Sequence, residues 1–340
     1  MSVNKNKLFL FLLFRTTALF FASNIPTQDE IQNQKIQVLE EDTKLRFREI
    51  WGYVMIGEEK SLPAQTPITD LGYFVNAVNN FSEFVPVPNR QERFPNFNGR
   101  IHIVSSVDSK AQTHLLLDPK LPLRNKIIKQ LVHESKDYDG VQIDWELVMK
   151  DDDENFWSFL KTLKKKLKGK MLTVAIPART KTLEKDAYNY EKLSEIVDRI
   201  IVMAYDEHWS TSAPGPVASM AWCKRIADYS MSVIPEEKLV MGCHFYARAW
   251  NNEDVGRKAY RMFKIDNILK ENKVTAFKKS SDGDLSFSFD KKTKVTVFYD
   301  TIDSTVARCK MYRDLGIGSL AFWRVGQEIP AFWNELAVSN

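Results

Sequence analysis

The sequence predicts an α/β protein, a (β/α)8 (TIM) barrel with a small α+β insertion after the seventh strand. The first observation is that strand-length apolar segments alternate with segments of helical hydrophobic spacing, a rhythm typical of parallel sheets. The second is that eight such strands can be counted, the number that closes a barrel of this class. The predicted strands are residues 50–55, 70–78, 100–107, 140–146, 171–177, 199–206, 238–245 and 318–325.

Length and composition fit one large domain and exclude several function classes. The chain has 340 residues, 44% of them hydrophobic, and a barrel of this kind takes about 250. A net charge of +4 is mild, so nucleic acid is not a predicted partner. The sequence contains no phosphate-binding glycine motif, and its histidines form no metal-ligand pair, so we predict neither cofactor nor metal. No feature indicates an obligate protein partner.

The three cysteines are sparse and show no paired spacing, which predicts free buried thiols and no disulfide framework. They are Cys223, Cys243 and Cys309.

The N-terminus resembles an export signal. Lys5 and Lys7 precede an apolar run, and small residues follow at Ala22, as in a secretory signal peptide. Arg15 interrupts the apolar run, which leaves an uncleaved anchor as the alternative. We therefore predict a signal peptide or anchor at 1–24, a polar linker at 25–47 and the barrel at 48–340. The expected location is secreted or in the cell envelope, with a membrane anchor as the second possibility.

The clearest predicted helix is residues 151–168. Acidic residues crowd its start, and lysines 164, 165, 166 and 168 crowd its end, each where the helix dipole favours that charge. The lysine run is therefore interpreted as a solvated helix end, and a binding patch is the less favoured alternative. Shorter helices are predicted around 127–132 and at 191–197, 217–229 and 305–315.

One connection is too long for a simple barrel loop. Residues 251–299 contain a helix-like piece at 259–270 and a turn signal at Asp282 and Gly283. Segments 274–277, 285–289 and 295–299 flank or follow that turn with strand-like apolar residues. We predict a small α+β insertion here, carried on the seventh loop of the barrel.

The segment 139–146 (DGVQIDWE) carries the predicted chemistry. As a strand it places Gln142, Asp144 and Glu146 on one face and apolar residues on the other. A half-exposed antiparallel strand, with its polar face in water, is the alternative. The strand-and-helix rhythm of the rest of the chain favours a barrel strand with the two acids at its carboxyl end.

Other predicted strand ends carry polar and aromatic residues that suit a sugar site. Active sites of such barrels form at the carboxyl ends of the strands, so these side chains are expected to meet. A glutamic acid beside another acid can have a raised pKa and act as general acid on a glycosidic oxygen. The candidates beyond the 140–146 strand are Tyr205, Asp206, Tyr246, Arg248 and Trp323.

These segments resemble glycoside hydrolase family 18, which includes chitinases and spore-peptidoglycan glucosaminidases. Segment 139–146 is similar to the family's fourth-strand DGxDxDxE signature, and 203–206 (MAYD) to its sixth-strand MxYD. Segment 242–250 (GCHFYARAW) resembles the seventh-strand GxPxYGRxW, and Trp323 stands at the eighth-strand tryptophan.

The resemblance implies a catalytic set of Glu146, Asp144 and Tyr205. Glu146 would protonate the leaving oxygen, while the substrate's own 2-acetamido oxygen attacks the anomeric carbon. Asp144 would hold the acetamido N–H and Tyr205 its carbonyl. The implied substrate is an N-acetylglucosamine-containing glycan, peptidoglycan or chitin-like. The substrate-binding predictions are Asp206, Arg248, Trp323, Gln142, Tyr53 and Tyr246.

Three residues depart from the family pattern. Gln142 replaces the middle aspartate, so it can hydrogen-bond Asp144 but not share a proton with it, and the pH optimum is expected to move. An amide there is frequent in the peptidoglycan-active branch. His244 and Ala247 replace a proline and a glycine, which affects loop shape.

Two alternative functions remain: a catalytically inactive lectin of the same fold, and an unrelated barrel enzyme that uses Asp144 and Glu146 as an acid and base.

Overall fold

Eight parallel strands close into a barrel in the computed structural model, which describes residues 43–84, 86–251, 258–290 and 294–339. Seven of the strands follow in chain order, and the last closes the ring by pairing with both the first and the seventh. The (β/α)8 prediction is confirmed. The barrel strands are β2 (Glu49–Met55), β3 (Asp70–Ala77), β4 (Arg100–Ser106), β5 (Gly140–Asp144), β6 (Met171–Pro177), β7 (Arg199–Met203), β8 (Leu239–His244) and β14 (Ser319–Trp323). The predicted signal segment lies outside the described residues.

Alternating side chains divide each barrel strand between two cores. On β5, Val141 and Ile143 join the large apolar layer between barrel and helices, whereas Gln142 lies within the barrel. The barrel interior is filled by a smaller cluster that includes Trp51, Tyr53 and Val240. The barrel is therefore a packed core, and space for a ligand exists only beyond the strand ends.

Helices cover the outside of the barrel. Their apolar faces supply residues such as Phe156, Leu160 and Leu163 to the outer core. The helices are α1 (Arg90–Arg93), α2 (Lys110–Leu117), α3 (Pro122–Glu134), α4 (Asp153–Lys166), α5 (Tyr190–Ser194), α6 (Met220–Val233), α7 (Ile265–Glu271) and α8 (Ile302–Asp314). Short 3-10 turns span Glu59–Ser61, Lys150–Asp152, Glu236–Lys238, Met262–Lys264 and Pro330–Glu335. A parallel pair of short strands, β1 (Leu45–Phe47) and β15 (Leu336–Val338), joins the two ends of the described chain.

The region after β8 forms a five-stranded antiparallel sheet. Its order is β10, β9, β13, β12, β11, and the strands are β9 (Tyr246–Asn251), β10 (Lys258–Arg261), β11 (Lys278–Lys279), β12 (Leu285–Asp290) and β13 (Lys294–Tyr299). Two local predictions were wrong. Residues 259–261 belong to β10 because they pair with β9, and the helix begins only at Ile265. Residues 274–277 are not a strand; the hairpin partner of β12 is β11.

The three cysteines are buried free thiols, as predicted. Within the described part of the chain, no helix combines the length and the apolar character needed to cross a bilayer.

Candidate active site

A cavity of about 650 Å³ opens at the carboxyl ends of the barrel strands. Its wall is built from the ends of β5, β6, β7 and β14, from α6, and from β9 and β10 of the inserted sheet. The lining residues are Asp144, Glu146, Pro177, Ala178, Met203, Tyr205, Asp206, Trp209, Trp222, Tyr246, Arg248, Ala259, Trp323, Arg324 and Gln327. Seven of the nine predicted site residues therefore share one cavity.

Asp144 and Glu146 line the cavity from the end of β5. The strand ends at Asp144, so Glu146 stands two residues beyond the ladder, while the buried Trp145 side chain packs into the outer core. Burial, and secondarily the charge of Glu146, raises the pKa of the Asp144 carboxyl well above its ordinary value. Burial also raises the pKa of Glu146, with the charges of Asp206 and Asp108 adding to it. A glutamic acid that holds its proton towards neutral pH can act as a general acid.

Gln142 and Tyr53 lie beneath the cavity and do not line it. The Gln142 side chain is fully buried, and its Nε2 donates to Thr173 Oγ1 at 3.1 Å. We expected this amide to be available to Asp144, but Oδ1 of Asp144 has no hydrogen-bond partner. Thr173 lies directly opposite Gln142 on the paired strand β6, and this register places its hydroxyl within reach of the amide. Oδ1 of Asp144 is therefore buried without a hydrogen-bond partner.

Tyr205 reaches the cavity because a glycine faces it. A Cβ at Gly242 on β8 would lie 2.8 Å from the Val202 carbonyl and 3.1 Å from the Tyr205 ring, so a larger residue would displace that ring. Burial raises the pKa of Tyr205 well above its ordinary value. The phenol therefore stays protonated at neutral pH and can donate a hydrogen bond into the cavity.

Asp206 is held in a fixed position by two partners on β9. Arg248 Nε lies 2.8 Å from Oδ1, Nη2 lies 2.6 Å from Oδ2, and the Tyr246 hydroxyl donates to Oδ1 at 2.5 Å. The Asp206 backbone has a φ of 62°, a left-handed conformation that costs a non-glycine residue free energy. Tyr246 and Arg248, predicted at the end of a barrel strand, instead belong to the first strand of the inserted sheet, which thereby joins the cavity wall.

Trp323 forms the floor of the cavity. Its ring packs against Phe74 at 4.9 Å and Tyr53 at 5.5 Å between ring centroids. Gly72 makes room for this stack, since a Cβ there would lie 2.4 Å from the Tyr53 ring. Tyr53 thus supports the indole from below, and the upper part of Trp323 faces the cavity.

The sequence profile of the glycosyl hydrolases family 18 matches residues 89–328. This range covers most of the barrel and every lining residue of the cavity. The chain belongs to glycosyl hydrolases family 18.

Several relatives are similar to parts of this family 18 chain. The uncharacterized glycosylase YvbX of Bacillus subtilis is 28% identical over 225 residues, 63% of this chain and 65% of that protein. The cortical fragment-lytic enzyme of Bacillus anthracis is 22% identical over 231 residues, 64% of this chain and 54% of that enzyme. The chain thus spans about half to two thirds of the length of these relatives. The crystal structure of the Bacillus cereus spore cortex-lytic enzyme SleL has the same fold, with a TM-score of 0.76 at 18% identity, over 87% of this chain and 76% of that one.

Four polar or aromatic lining residues were missed from the sequence. Trp209 is half exposed in the loop after β7, and Trp222 lies on the first turns of α6. Arg324 and Gln327 come one and four residues after Trp323, so the rule that strand ends build the site already pointed to them. Trp209 also carried a signal, because a tryptophan within a polar, turn-rich loop has no core to enter. Trp222 carried none, because its helical position resembles that of a core residue.

Arg324 is tied to the rim of the cavity by Glu58. This glutamate follows β2 and forms ion pairs with both Arg324 and Arg261 of the inserted sheet. The pairs link the first barrel loop, the last barrel loop and the insertion at one point.

Among the described residues, no group of three or more His, Cys, Asp or Glu side chains is placed to hold a metal ion.

A buried ionic cluster joins the insertion to the barrel behind the cavity wall. Arg308 of α8 contacts Asp300 at 2.6 Å and donates to the Ala218 carbonyl at 2.6 Å. His244 Nε2 lies 3.2 Å from Asp300, and Asp284 lies 3.6 Å from Arg308. Burial lowers the pKa of His244 to about 4, so the ring is neutral. Burial, together with the neighbouring Asp300, raises the pKa of Asp284. The cluster therefore holds one cation, one carboxylate and one protonated acid.

Proposed function

We propose that this protein is a glycosidase that hydrolyses β-1,4 bonds next to N-acetylglucosamine in peptidoglycan or chitin-like glycans. The observation that carries the proposal is the meeting of Asp144, Glu146, Tyr205 and Trp323 in one cavity of a family 18 chain. These residues offer what an N-acetylglucosamine ring requires. They supply an acid with a raised pKa, a carboxyl group with an unpartnered oxygen, a phenol that donates a hydrogen bond, and an indole face for the ring.

In the first step, Glu146 gives its proton to the glycosidic oxygen, and the bond from that oxygen to the anomeric carbon breaks. The carbonyl oxygen of the substrate's own 2-acetamido group attacks the anomeric carbon from the other face, forming a cyclic oxazolinium ion. Asp144 accepts a hydrogen bond from the acetamido N–H, and Tyr205 donates one to the acetamido oxygen. Substrate participation replaces the second protein carboxylate that most retaining glycosidases use.

In the second step, water attacks the anomeric carbon and returns the configuration to that of the substrate. The ionised Glu146 takes a proton from this water, which restores the acid for the next cycle. The acetamido group reopens, and the product leaves with its own 2-acetamido group intact.

The remaining lining residues bind sugar. The Asp206 carboxylate, fixed by Arg248 and Tyr246, accepts hydrogen bonds from sugar hydroxyls without a loss of side-chain freedom on binding. Trp323 stacks beneath the ring at the cleavage point. Trp209 and Trp222 offer further apolar faces along the cavity for neighbouring sugars. Gln142 and Tyr53 act indirectly, through the strand that carries Asp144 and through Trp323.

Two kinds of relative support the glycan class. Names that refer to spore cortex lysis point to peptidoglycan, and the chain is also similar to chitinase-like proteins. Such substrates lie outside the cytoplasm, which agrees with the signal-like segment at residues 1–24. We therefore propose a secreted or envelope-bound enzyme.

The test compares three linear substrates with β-1,4 linkages. Residues 26–340 are incubated with chitooligosaccharides, peptidoglycan glycan strands and cello-oligosaccharides, which carry a 2-hydroxyl in place of the acetamido group. We expect N-acetylglucosamine-ended products from one or both of the first two, by mass spectrometry, and none from the third. Equal cleavage of cello-oligosaccharides would overturn substrate assistance. Binding of the N-acetylated sugars without cleavage would identify a lectin.

A further inference from the structure

A second concave site lies on the outer wall of the barrel, away from the cavity. A groove of about 910 Å³ runs between α3 and α4, whose C-terminal ends lead towards the starts of β5 and β6. We call it the lysine groove. Its lining residues are Lys129, Val132, His133, Lys161, Thr162, Lys165, Lys166 and Lys168. Five lysines and a histidine therefore line one groove whose lining contains no carboxylate.

The lysines of the groove are unpaired, unlike other lysines of the same two helices. Lys126 on α3 pairs with Glu83 at 2.8 Å, and Lys164 on α4 pairs with Asp198. Among the described residues, none of the five groove lysines has a carboxylate within 4.0 Å, and all five are exposed. Charges that repel one another across a groove reduce stability unless an anion neutralises them.

The helix dipole does not account for the whole pattern. Lys165 and Lys166 lie in the last turn of α4, where a cation is favourable. Lys129 and Lys161 each stand five residues before the end of their helix, beyond the reach of that effect. Lys161 and Lys165 are four residues apart on α4, so they lie on one face with about 5–6 Å between their Cβ atoms. Lys168 lies beyond the end of the helix, where its backbone is left-handed with a φ of 50°.

We propose that the lysine groove binds a linear phosphodiester polymer that carries no bases, such as a polyol phosphate of the cell envelope. Lysine binds phosphate as a point charge, without the fixed bidentate geometry of arginine, so a row of lysines can follow a chain of phosphates. No arginine lines the groove. Val132 and the lysine methylenes form the floor beneath the charges.

The lining also argues against two other polyanions. No aromatic side chain lines the groove, so it lacks the stacking surfaces that bind single-stranded nucleic acid. None of the exposed large hydrophobic side chains of the described residues lies on it, so it lacks the apolar contacts that insert into an anionic membrane. A concave, lysine-lined channel fits an extended chain of phosphates.

The test measures binding of purified poly(glycerol phosphate) to the full chain by isothermal titration calorimetry at low and high salt. Three variants are compared: the unmodified chain, K129Q/K161Q/K165Q in the groove, and K185Q/K224Q/K310Q on exposed surface elsewhere. Both triple variants lose three positive charges, and exposed Lys→Gln changes are mild in helices. Thermal unfolding checks that each variant is folded.

We expect the groove variant to bind at least tenfold more weakly, the control variant to bind as the unmodified chain does, and added salt to weaken binding. Poly(glycerol phosphate) is also expected to raise the unfolding temperature of the unmodified chain and of the control variant, but not that of the groove variant. An equal loss in the control variant would overturn the proposal, as would groove-dependent binding that is tighter for single-stranded DNA or phosphatidylglycerol vesicles. These readouts require no hydrolysis, so they stand or fall independently of the proposed glycosidase activity.

Discussion

Arg248 holds the Asp206 carboxylate at two points, with Nε 2.8 Å from Oδ1 and Nη2 2.6 Å from Oδ2. The arginine lies on the inserted sheet and the aspartate follows barrel strand β7, so the pair joins insertion and barrel at the cavity. The same Asp206 charge contributes, after burial, to the raised pKa of Glu146. Through this carboxylate, the insertion influences the proposed acid as well as the sugar-binding wall.

We predict that Asp206→Asn moves the alkaline limb of kcat/KM to lower pH. Hydrolysis requires protonated Glu146, so activity falls as pH rises through the pKa of that group. Removing the Asp206 charge, and leaving the Arg248 cation unpaired, lowers this pKa, and activity is lost earlier on the alkaline side. The measurement is the pH profile of kcat/KM, read from the position of the limb and not from its height.

Asp108→Asn is the matched control for this pH shift. The charge of Asp108 also raises the pKa of Glu146, but by less than burial or the charge of Asp206 does. The Asp108 side chain is exposed. We expect a smaller shift of the limb in the same direction. A limb that stays in place or moves to higher pH in Asp206→Asn would contradict the electrostatic account of Glu146.

Trp209→Ala is predicted to weaken binding of long glycans. The half-exposed indole at the cavity edge offers a flat face to a sugar, and the lost contact is worth about 1–2 kcal/mol. This corresponds to a rise in KM of about five- to thirtyfold with kcat nearly unchanged. Kinetics on chitooligosaccharides of increasing length check the effect. Phe81→Ala, at an exposed aromatic that does not line the cavity, serves as control and is expected to leave KM unchanged.

The fold and the centre of the site could be predicted because they follow from local patterns. Alternation on residues 140–146 separated Asp144 and Glu146 from the apolar face, and the rule for strand ends brought Tyr205, Asp206 and Trp323 to them. Each of these inferences needs only the direction in which a side chain points along its own strand. No knowledge of a distant partner is required.

What failed depends on pairing between distant segments. Residues 259–261 have helical spacing, but the ladder with β9 makes them a strand. Gln142 was expected beside Asp144, yet the register with β6 gives its amide to Thr173. Lysines 165, 166 and 168 are exposed at the end of α4, in keeping with the predicted solvated helix end, but the sequence does not show that Lys129 of α3 lines the same groove.

Asp284→Asn is predicted to stabilise the protein at alkaline pH. The folded state keeps Asp284 protonated to a pH of about 8, whereas an unfolded aspartate loses its proton near pH 4. The folded state thus binds the extra proton between these values, so stability falls as pH rises through that window. The asparagine side chain has an N–H group that can donate towards Asp300, as the protonated Asp284 can, but it has no carboxyl group to titrate.

The free energy of unfolding of Asp284→Asn and the parent is compared by denaturant titration at pH 5 and pH 9. We expect the free energy of unfolding of the variant, relative to that of the parent, to be at least about 1 kcal/mol more favourable to the folded state at pH 9 than at pH 5. Asp290→Asn, at an exposed carboxylate of the same sheet, is the control and should show no such trend. A variant that loses stability equally at both values would show that Asp284 is ionised in the folded cluster.

The most direct test of the account is the leaving-group dependence of Glu146→Gln. A general acid matters most when the departing oxygen is basic, as in a glycosidic bond, and least when it departs readily without a proton. We predict that the variant loses about 10²–10⁴-fold in kcat/KM on chitooligosaccharides but keeps most of its kcat/KM on a 2,4-dinitrophenyl glycoside of the same sugar. The comparison uses kcat/KM because this constant reports the first, bond-breaking step and not the second step, in which Glu146 acts as base. Asp144→Asn, which disturbs the acetamido group, should lose activity on both substrates. Equal losses of kcat/KM in Glu146→Gln on both substrates, or full kcat/KM on both, would contradict the role of Glu146 as the proton donor.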